Sequence, residues 1–425
     1  MNIQYLQKQK ELGIYDVVVC GGGLAGVMSA VAAAREGKRV ILIEKYSYLG
    51  GMATTAIVYP FMRHSTVPNG EVANAGLYFE LLKRIYELGG SDGKESRHYR
   101  DEYMKIVLDR LTKEYGIKVL FRATLCDVDK EDDRHVKSVT VATSSGLLHI
   151  HGKVFIDATG NADLCAYAGL PFLLGRETDQ LCQPMTLCFR LGNIDWERFD
   201  AVKANQTYKK YHAAGKLINP REDILFFRYP VLQMIHMNTT RVSGKDPTNV
   251  EDVTDAEMTL REQMLEMVNF CRKHVEGMEN CELIQSGPEA GIRESRRIIG
   301  LSCMTVEDLC SARKFEDSIA RGTYEIDIHD PVGGGTTHIH VPKNDYYTIT
   351  YRALIPKDAD NLLVAGRCIS ATHEALAAVR IMPITTCMGE AAGIAAAMAI
   401  ENGLACEKID VETLQKKITS YGGLI

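Results

Sequence analysis

A short apolar run, Asp16-Val17-Val18-Val19-Cys20, leads straight into Gly21-Gly22-Gly23-Leu24-Ala25-Gly26. An alanine-rich stretch follows to Arg35, and then a second apolar run, Arg39-Val40-Ile41-Leu42-Ile43, ends at Glu44 and Lys45. The change of apolar periodicity and the glycines between the runs predict a strand, a tight turn, a helix and a second strand. Within the GxGxxG spacing, Gly21 permits the turn, Gly23 lets the backbone approach a pyrophosphate, and Gly26 lets helix and strand pack closely. The helix that opens at Leu24 and Ala25 favours an anion at its N-terminus. Glu44, at the end of the second strand, can accept both ribose hydroxyl hydrogens of an adenine nucleotide and would repel a 2′-phosphate. A dinucleotide site in an α/β fold is the expectation, with NADP disfavoured.

With 425 residues, 46% of them hydrophobic, the chain can bury a large core, as two domains or as one domain with insertions. A formal net charge of -6 argues against non-specific binding to nucleic acid or anionic lipid. Met1 to Tyr15 is polar, and no stretch reaches about 18 apolar residues without a charge, so no secretory leader or membrane span is expected and a cytoplasmic protein is. The twelve cysteines form no CxxC pair and have no histidines at zinc-like spacing. They read as packed thiols, with Cys368 and Cys387 in segments near the cofactor, and no metal is expected.

Between Ile117 and Gly160, alternating β-branched runs with turns at Glu131-Asp132-Asp133-Arg134-His135 and Ser144-Ser145-Gly146 predict a small antiparallel meander leading into another buried strand. The middle of the chain is mixed, with a charged helical segment from about Asp255 to His274. A buried strand reappears at Asn361-Leu362-Leu363-Val364-Ala365-Gly366, and the small residues of the last long helix, stopped by Gly403, allow close packing. The first and last segments are expected to fold together around an inserted middle.

The run Glu44 to Thr55, EKYSYLGGMATT, taken with the meander and Val154 to Asp163, VFIDATGNAD, resembles the FAD-binding arrangement of the glutathione reductase-like flavoprotein superfamily. The C-terminal LLVAGRCISATHEALAAVRIMPITTCMGEAAGIAAA resembles the closing segment of bacterial FAD-dependent oxidoreductases related to fumarate reductase and succinate dehydrogenase flavoproteins. The resemblance implies FAD; non-covalent attachment is expected, because no histidine lies next to the Gly50 to Thr55 turn other than His64. It implies a Rossmann-like FAD domain from residues 1–170 and 350–425, with a β-rich α+β substrate domain, 171–349, inserted. Cofactor contacts are then expected from Gly21, Gly23, Leu24, Ala25, Gly26, Glu44 and Lys45, and from Gly50, Gly51, Met52 and Thr54 in the turn that follows. The meander and second strand would add Thr124, Ala158, Thr159 and Gly160, and the closing segment Gly366, Arg367, His373, Arg380 and Met382. Where many superfamily members carry an Asp after the late glycine, this chain has Arg367.

The substrate side carries fewer marks. Gly287 to Arg297 resembles the same family's GIRESR segment, and its arginines can build an ion-pair network or leave Arg293 free for a carboxylate or oxygen-rich substrate. Arg380, just before the helix from Met382, is expected where negative charge develops on a reduced flavin. His236 and Asn238 are expected to share a strand face near Arg241, and His338 shares one with His340. His236 and His338 are candidate proton carriers. The reaction read from these features is hydride transfer between flavin N5 and a small polar organic substrate, either oxidising a CH-OH or CH-NH group or reducing an activated C=C bond. A non-redox binding protein on the same fold and a flavin-dependent RNA modifier are the rivals. No second GxGxxG unit follows, since Gly333-Gly334-Gly335 opens no helix, so electrons pass to or from the substrate, a partner protein, a quinone or oxygen.

Overall fold

The computed structural model describes residues 10–229 and 233–425. Its largest sheet has seven strands. Lys10–Cys20 lies at the centre, with Val40–Ile43 and then Lys118–Leu120 parallel to it on one side and Gly146–Asp157 parallel on the other. The parallel strands are apolar without alternation because both of their faces are buried; Val17, Val18, Val19, Ile41 and Leu42 have no exposed surface. Each such side chain contributes about 1.5–3 kcal/mol of burial free energy.

The meander is present. Thr124–Lys130, Val136–Thr143 and the first half of Gly146–Asp157 pair antiparallel in sequence order. The far end of Gly146–Asp157 instead pairs parallel with Leu362–Val364, which brings the C-terminal segment back to the first strand's glycine turn. One 12-residue strand thus serves two sheets' worth of partners, and this joins the two ends of the chain.

The last long helix, Met382–Asn402, is long and apolar enough to cross a membrane, yet 94% of its most apolar window is buried in protein. It packs backbone to backbone on the first helix, Leu24–Arg35: a Cβ on Gly389 would stand 2.2 Å from the Ala25 carbonyl oxygen. Glu390 in its middle is buried and held by Arg35 at 2.7 Å and by the Leu77 amide at 2.9 Å. The small residues in this helix therefore serve helix-helix contact, and Gly403 ends it in the left-handed conformation.

The middle of the chain builds an antiparallel sheet in the order Glu282–Ser286, Phe189–Gly192, Ile235–Met237, Phe226–Arg228. Helices Ala201–Ala213 and Val250–His274 cover it, with Tyr208, Met267 and Phe270 in a separate apolar cluster. Asp200 and Asn249 cap those helices through their side chains. Ile298, Ile319, Tyr347 and Ile349, inside the stretch read as inserted, share the large core with the glycine-motif helix and the closing helix. The chain re-enters the main body well before residue 350, because the strand pair Ser318–Gly322 and Tyr347–Thr350 packs beside Met382–Asn402.

Candidate cofactor cleft and active site

A cleft of about 1150 Å³ opens at the C-terminal ends of the parallel strands. Gly21 turns the chain there at φ +103°, and a Cβ on it would lie 2.3 Å from the Ala158 carbonyl oxygen. Gly26 touches the same turn, a Cβ on it falling 1.9 Å from the Gly21 oxygen, so it packs behind the cleft and does not line it. A Cβ on Gly23 would meet nothing nearer than 3.9 Å and would fill the cleft. Gly23 is also the N-cap of Leu24–Arg35 and brings no side chain to its free amides; Ile381, N-cap of the closing helix, brings none either. Both helix starts are left available to negative charge on a ligand.

Glu44 is 6% exposed, accepting from the Gly22 amide at 2.6 Å and the Tyr46 amide at 2.8 Å. Burial raises its carboxyl to about 7 against those hydrogen bonds and the charge of Lys45. Ribose hydroxyls would return the solvation it lacks. Asp157 does not face the cleft; it accepts from Thr159 N, Thr159 Oγ1 and Cys165 N, and so shapes the turn that carries Ala158, Thr159 and Gly160. A glycine cradle, a ribose-side carboxylate and two uncapped helix starts suit FAD.

Of the cofactor residues expected from sequence, Gly21, Gly23, Leu24, Ala25, Glu44, Lys45, Gly50, Gly51 and Met52 line this cleft. So do Thr124, Ala158, Thr159, Gly160, Gly366, Arg367, Arg380 and Met382. Two others do not. Thr54 is buried behind the Gly50 turn and donates to the Leu49 carbonyl at 2.7 Å. His373 is buried against Glu294, 2.7 Å away, in the ion-pair network of the GIRESR segment. That network takes up the segment's other charges: Arg297 pairs with Glu294, Arg296 with Asp163 at 2.9 Å, and Glu289 with Lys45 at 3.6 Å.

Beyond Met52, Ile292, Arg367, Arg380 and Met382, which line both spaces, a second cavity of about 790 Å³ continues inward. Arg293 lines only this inner cavity and donates to the Pro184 carbonyl at 2.8 Å, Thr186 Oγ1 at 2.6 Å and Asn238 Oδ1 at 3.4 Å. Burial, with Arg380 and Arg241 nearby, lowers its guanidinium to about 9. Arg367 donates to Ser295 Oγ and Asn161 Oδ1, both at 2.8 Å. Among the described residues, no carboxylate lies within ion-pair distance of Arg293, Arg367 or Arg380.

His236 is not part of this cavity. The strand ends at Met237, so the alternation that would have put His236 and Asn238 on one face stops between them. Asn238 reaches the cavity, while His236 is buried against Tyr59, 5.4 Å between rings, with neither nitrogen hydrogen-bonded among the described residues. Burial and then Arg190 hold it neutral, well below the usual histidine range. His338 lies outside the lining too, half exposed on a hairpin, 3.4 Å from Glu325. Cys368 and Cys387 line neither space, whereas Cys188, a buried thiol raised to about 11, lines the inner one.

The sequence offered no signal for Tyr324, Asp327 and His329, which line the inner cavity from the hairpin Ile326–His329 and Thr336–Ile339 and the turn before it. Tyr324 donates to Asp327 Oδ2 at 3.1 Å, and His329 Nε2 stands 3.5 Å from that oxygen. His329 Nδ1 is 2.9 Å from Arg241 Nη2; a guanidinium only donates, so Nδ1 accepts and the ring proton is on Nε2, toward Asp327. Arg241 is fixed in turn by the carbonyls of Gly333 and Gly335, which gives the glycine run a structural task. Burial works against charge on Asp327, but His329, Arg380 and Arg293 overcome it and hold the carboxyl well below the usual range. Glu11, His149 and His151, on the adjacent strands Lys10–Cys20 and Gly146–Asp157, bring ligand atoms within 4.8 Å of one another, a grouping not expected from spacing; both His149 nitrogens are engaged by Ser138 and Thr140.

A 102-residue segment is 29% identical to thioredoxin reductase of Ureaplasma parvum, covering 23% of this chain and 31% of that protein. A 91-residue segment is 36% identical to dihydrolipoyl dehydrogenase of Corynebacterium glutamicum, covering 21% of this chain and 18% of that one. The matched part thus spans less than a third of either relative. A solved geranylgeranyl bacteriochlorophyll reductase-like protein from Thermoplasma acidophilum aligns over 96% of this chain and 83% of its own, at 16% identity and a TM-score of 0.46. The family model described as FAD dependent oxidoreductase matches residues 16–418, from the first strand of the glycine motif to the last helix. The chain belongs to the FAD-dependent oxidoreductase family, whose cofactor is FAD.

Proposed function

We propose that the protein transfers a hydride between FAD in the outer cleft and a small polar organic molecule in the inner cavity. The observation that carries this reading is the continuity of the two spaces through Met52, Ile292, Arg367, Arg380 and Met382. When bound, FAD supplies a two-electron acceptor or donor at its ring. Arg380 and the uncapped start of Met382–Asn402 favour negative charge at that junction. Arg293 orients the substrate from the inner side, and the apolar residues around the cavity limit water. The region around the antiparallel sheet supplies the substrate side, through Thr186, Cys188 and Asn238.

The test is the visible spectrum of the purified protein before and after denaturation, followed by anaerobic addition of hydroxy acids, amino acids, sugars and enoates. Flavin bands released on denaturation and bleached by one substrate class support the reading. Absence of bands after incubation with FAD, or flavin that no class bleaches or reoxidises, sinks it in favour of a binding role.

A further inference from the structure

The inner cavity has a charge imbalance in its lining. Three guanidinium groups line it, Arg293, Arg367 and Arg380, against one carboxylate, Asp327. Arg367 and Arg380 also face the outer cleft, but Arg293 faces only the inner cavity and has only neutral oxygens as partners. The buried Nε of Arg380 has no partner, and its Nη2 reaches only Gln183 Oε1 at 3.5 Å. A buried cation paired only with neutral groups is costly, and an anion between Arg293 and Arg380 would offset that cost. Met52, Val58, Pro60 and Met62 line the cavity too, so an occupant needs an apolar portion as well as an anionic end.

The proton acceptor follows by elimination among its neighbours. Tyr324 already donates its hydroxyl proton to Asp327, and the lone pair of His329 Nδ1 is taken by Arg241. Asp327 is left with Oδ1, which has no hydrogen-bond partner among the described residues and stands 4.0 Å from Nδ1 of the half-exposed His338. Arg241 and His329 act as positioning residues: they fix the side from which Asp327 receives a donor.

We infer that the inner cavity takes a small hydroxycarboxylate with an apolar tail, its carboxylate held by Arg293 and Arg380 and its hydroxyl proton taken by Asp327. This rests on the proposed hydride transfer to FAD. The C-H bond breaks with its electron pair passing to FAD, the O-H bond breaks with its proton passing to Asp327, and the carbon and oxygen become a carbonyl. The proton then leaves toward His338 and solvent. Alcohol and oxidised FAD give ketone, reduced FAD and one proton, so atoms and electrons balance.

The experiment titrates the FAD-loaded full chain with mandelate and 2-hydroxyhexanoate, and with their amides, following binding by calorimetry and flavin absorbance. Expected are carboxylate affinities at least about tenfold above the amides, and a similar loss in Arg293→Gln. Asp327→Asn, which removes the cavity's own negative charge, should bind the carboxylates more tightly while bleaching the flavin about 10² to 10⁴ times more slowly. A merely structural Asp327 would not strengthen anion binding while slowing reduction. Flavin-loaded protein that binds amides as well as carboxylates, or neither, overturns the substrate class. Unchanged bleaching in Asp327→Asn overturns the proton acceptor. Neither result touches the hydride-transfer reading, which fails on loss of flavin or absence of bleaching by every class.

Discussion

The two spaces of the site are built differently. The outer cleft is made mostly of backbone and short side chains from continuous motifs: the Gly21 to Gly26 turn, the Gly50 to Met52 turn, and Ala158 to Gly160. The inner cavity is made of long side chains from separate segments, with Arg293 from the GIRESR run, Asn238 from the end of a strand, and Tyr324, Asp327 and His329 from a distant hairpin region. A backbone-built site tolerates almost no added atom but keeps its chemistry under many side-chain changes. A site built from side chains can lose a function and keep its fold. The same polypeptide can therefore retain one cofactor while its inner cavity changes substrate.

Substitutions can break this contrast, and the largest effect is expected in the outer cleft. Gly21→Ala puts a methyl group into the Ala158 carbonyl at a backbone angle that alanine disfavours; flavin released on denaturation should fall to background, with the protein insoluble or strongly destabilised. Retention of stoichiometric flavin would show that the turn is not rigid. Next is Glu44. Its neighbours in charge are Lys45 and, across the cleft, Glu289. Its folded carboxyl, at about 7, lies above the ordinary 4.5, so its contribution to apoprotein stability is present at low pH and is lost as pH rises from 4.5 through 7. FAD, donating to the charged form, should bind less tightly as pH falls below 7, by up to about tenfold per pH unit, and Glu44→Gln should be weak and flat across that range. Calorimetry between pH 5.5 and 8 reads both.

A smaller effect is expected from His329→Ala, which leaves buried Arg241 without its imidazole acceptor. The melting temperature should fall with a loss of about 1–3 kcal/mol, while flavin content stays that of the parent. If flavin content falls with it, the two spaces are not independent. The smallest belongs to His340→Ala: its side chain is 83% exposed and pairs only with Glu325, so stability should change by less than about 0.5 kcal/mol and flavin reduction not at all.

Sequence and structure agree most where chemistry depends on local backbone. The βαβ unit, the meander and the returning strand were legible because periodicity and glycine position dictate them residue by residue. Thr54 and His373 show where that stopped: both sit in cofactor-like segments, yet one braces a turn and the other completes an ion-pair network. His236 shows it again, since a strand that ends one residue early moves a side chain from the cavity into the core.

By itself the sequence determined the α/β architecture, the glycine turn, the carboxylate at the end of the second strand and the return of the C-terminal segment to the first sheet. Spacing along one chain is enough to specify each of these. Only the tertiary structure decided that the other charges around the GIRESR run are taken up by ion pairs, some with distant Asp163 and Lys45, while Arg293 has no carboxylate beside it, and that Arg241, His329, Asp327 and Tyr324 contact one another in a line. Those groups come from segments up to 88 residues apart, the separation of Arg241 from His329, and no local pattern records which distant side chains will share a cavity.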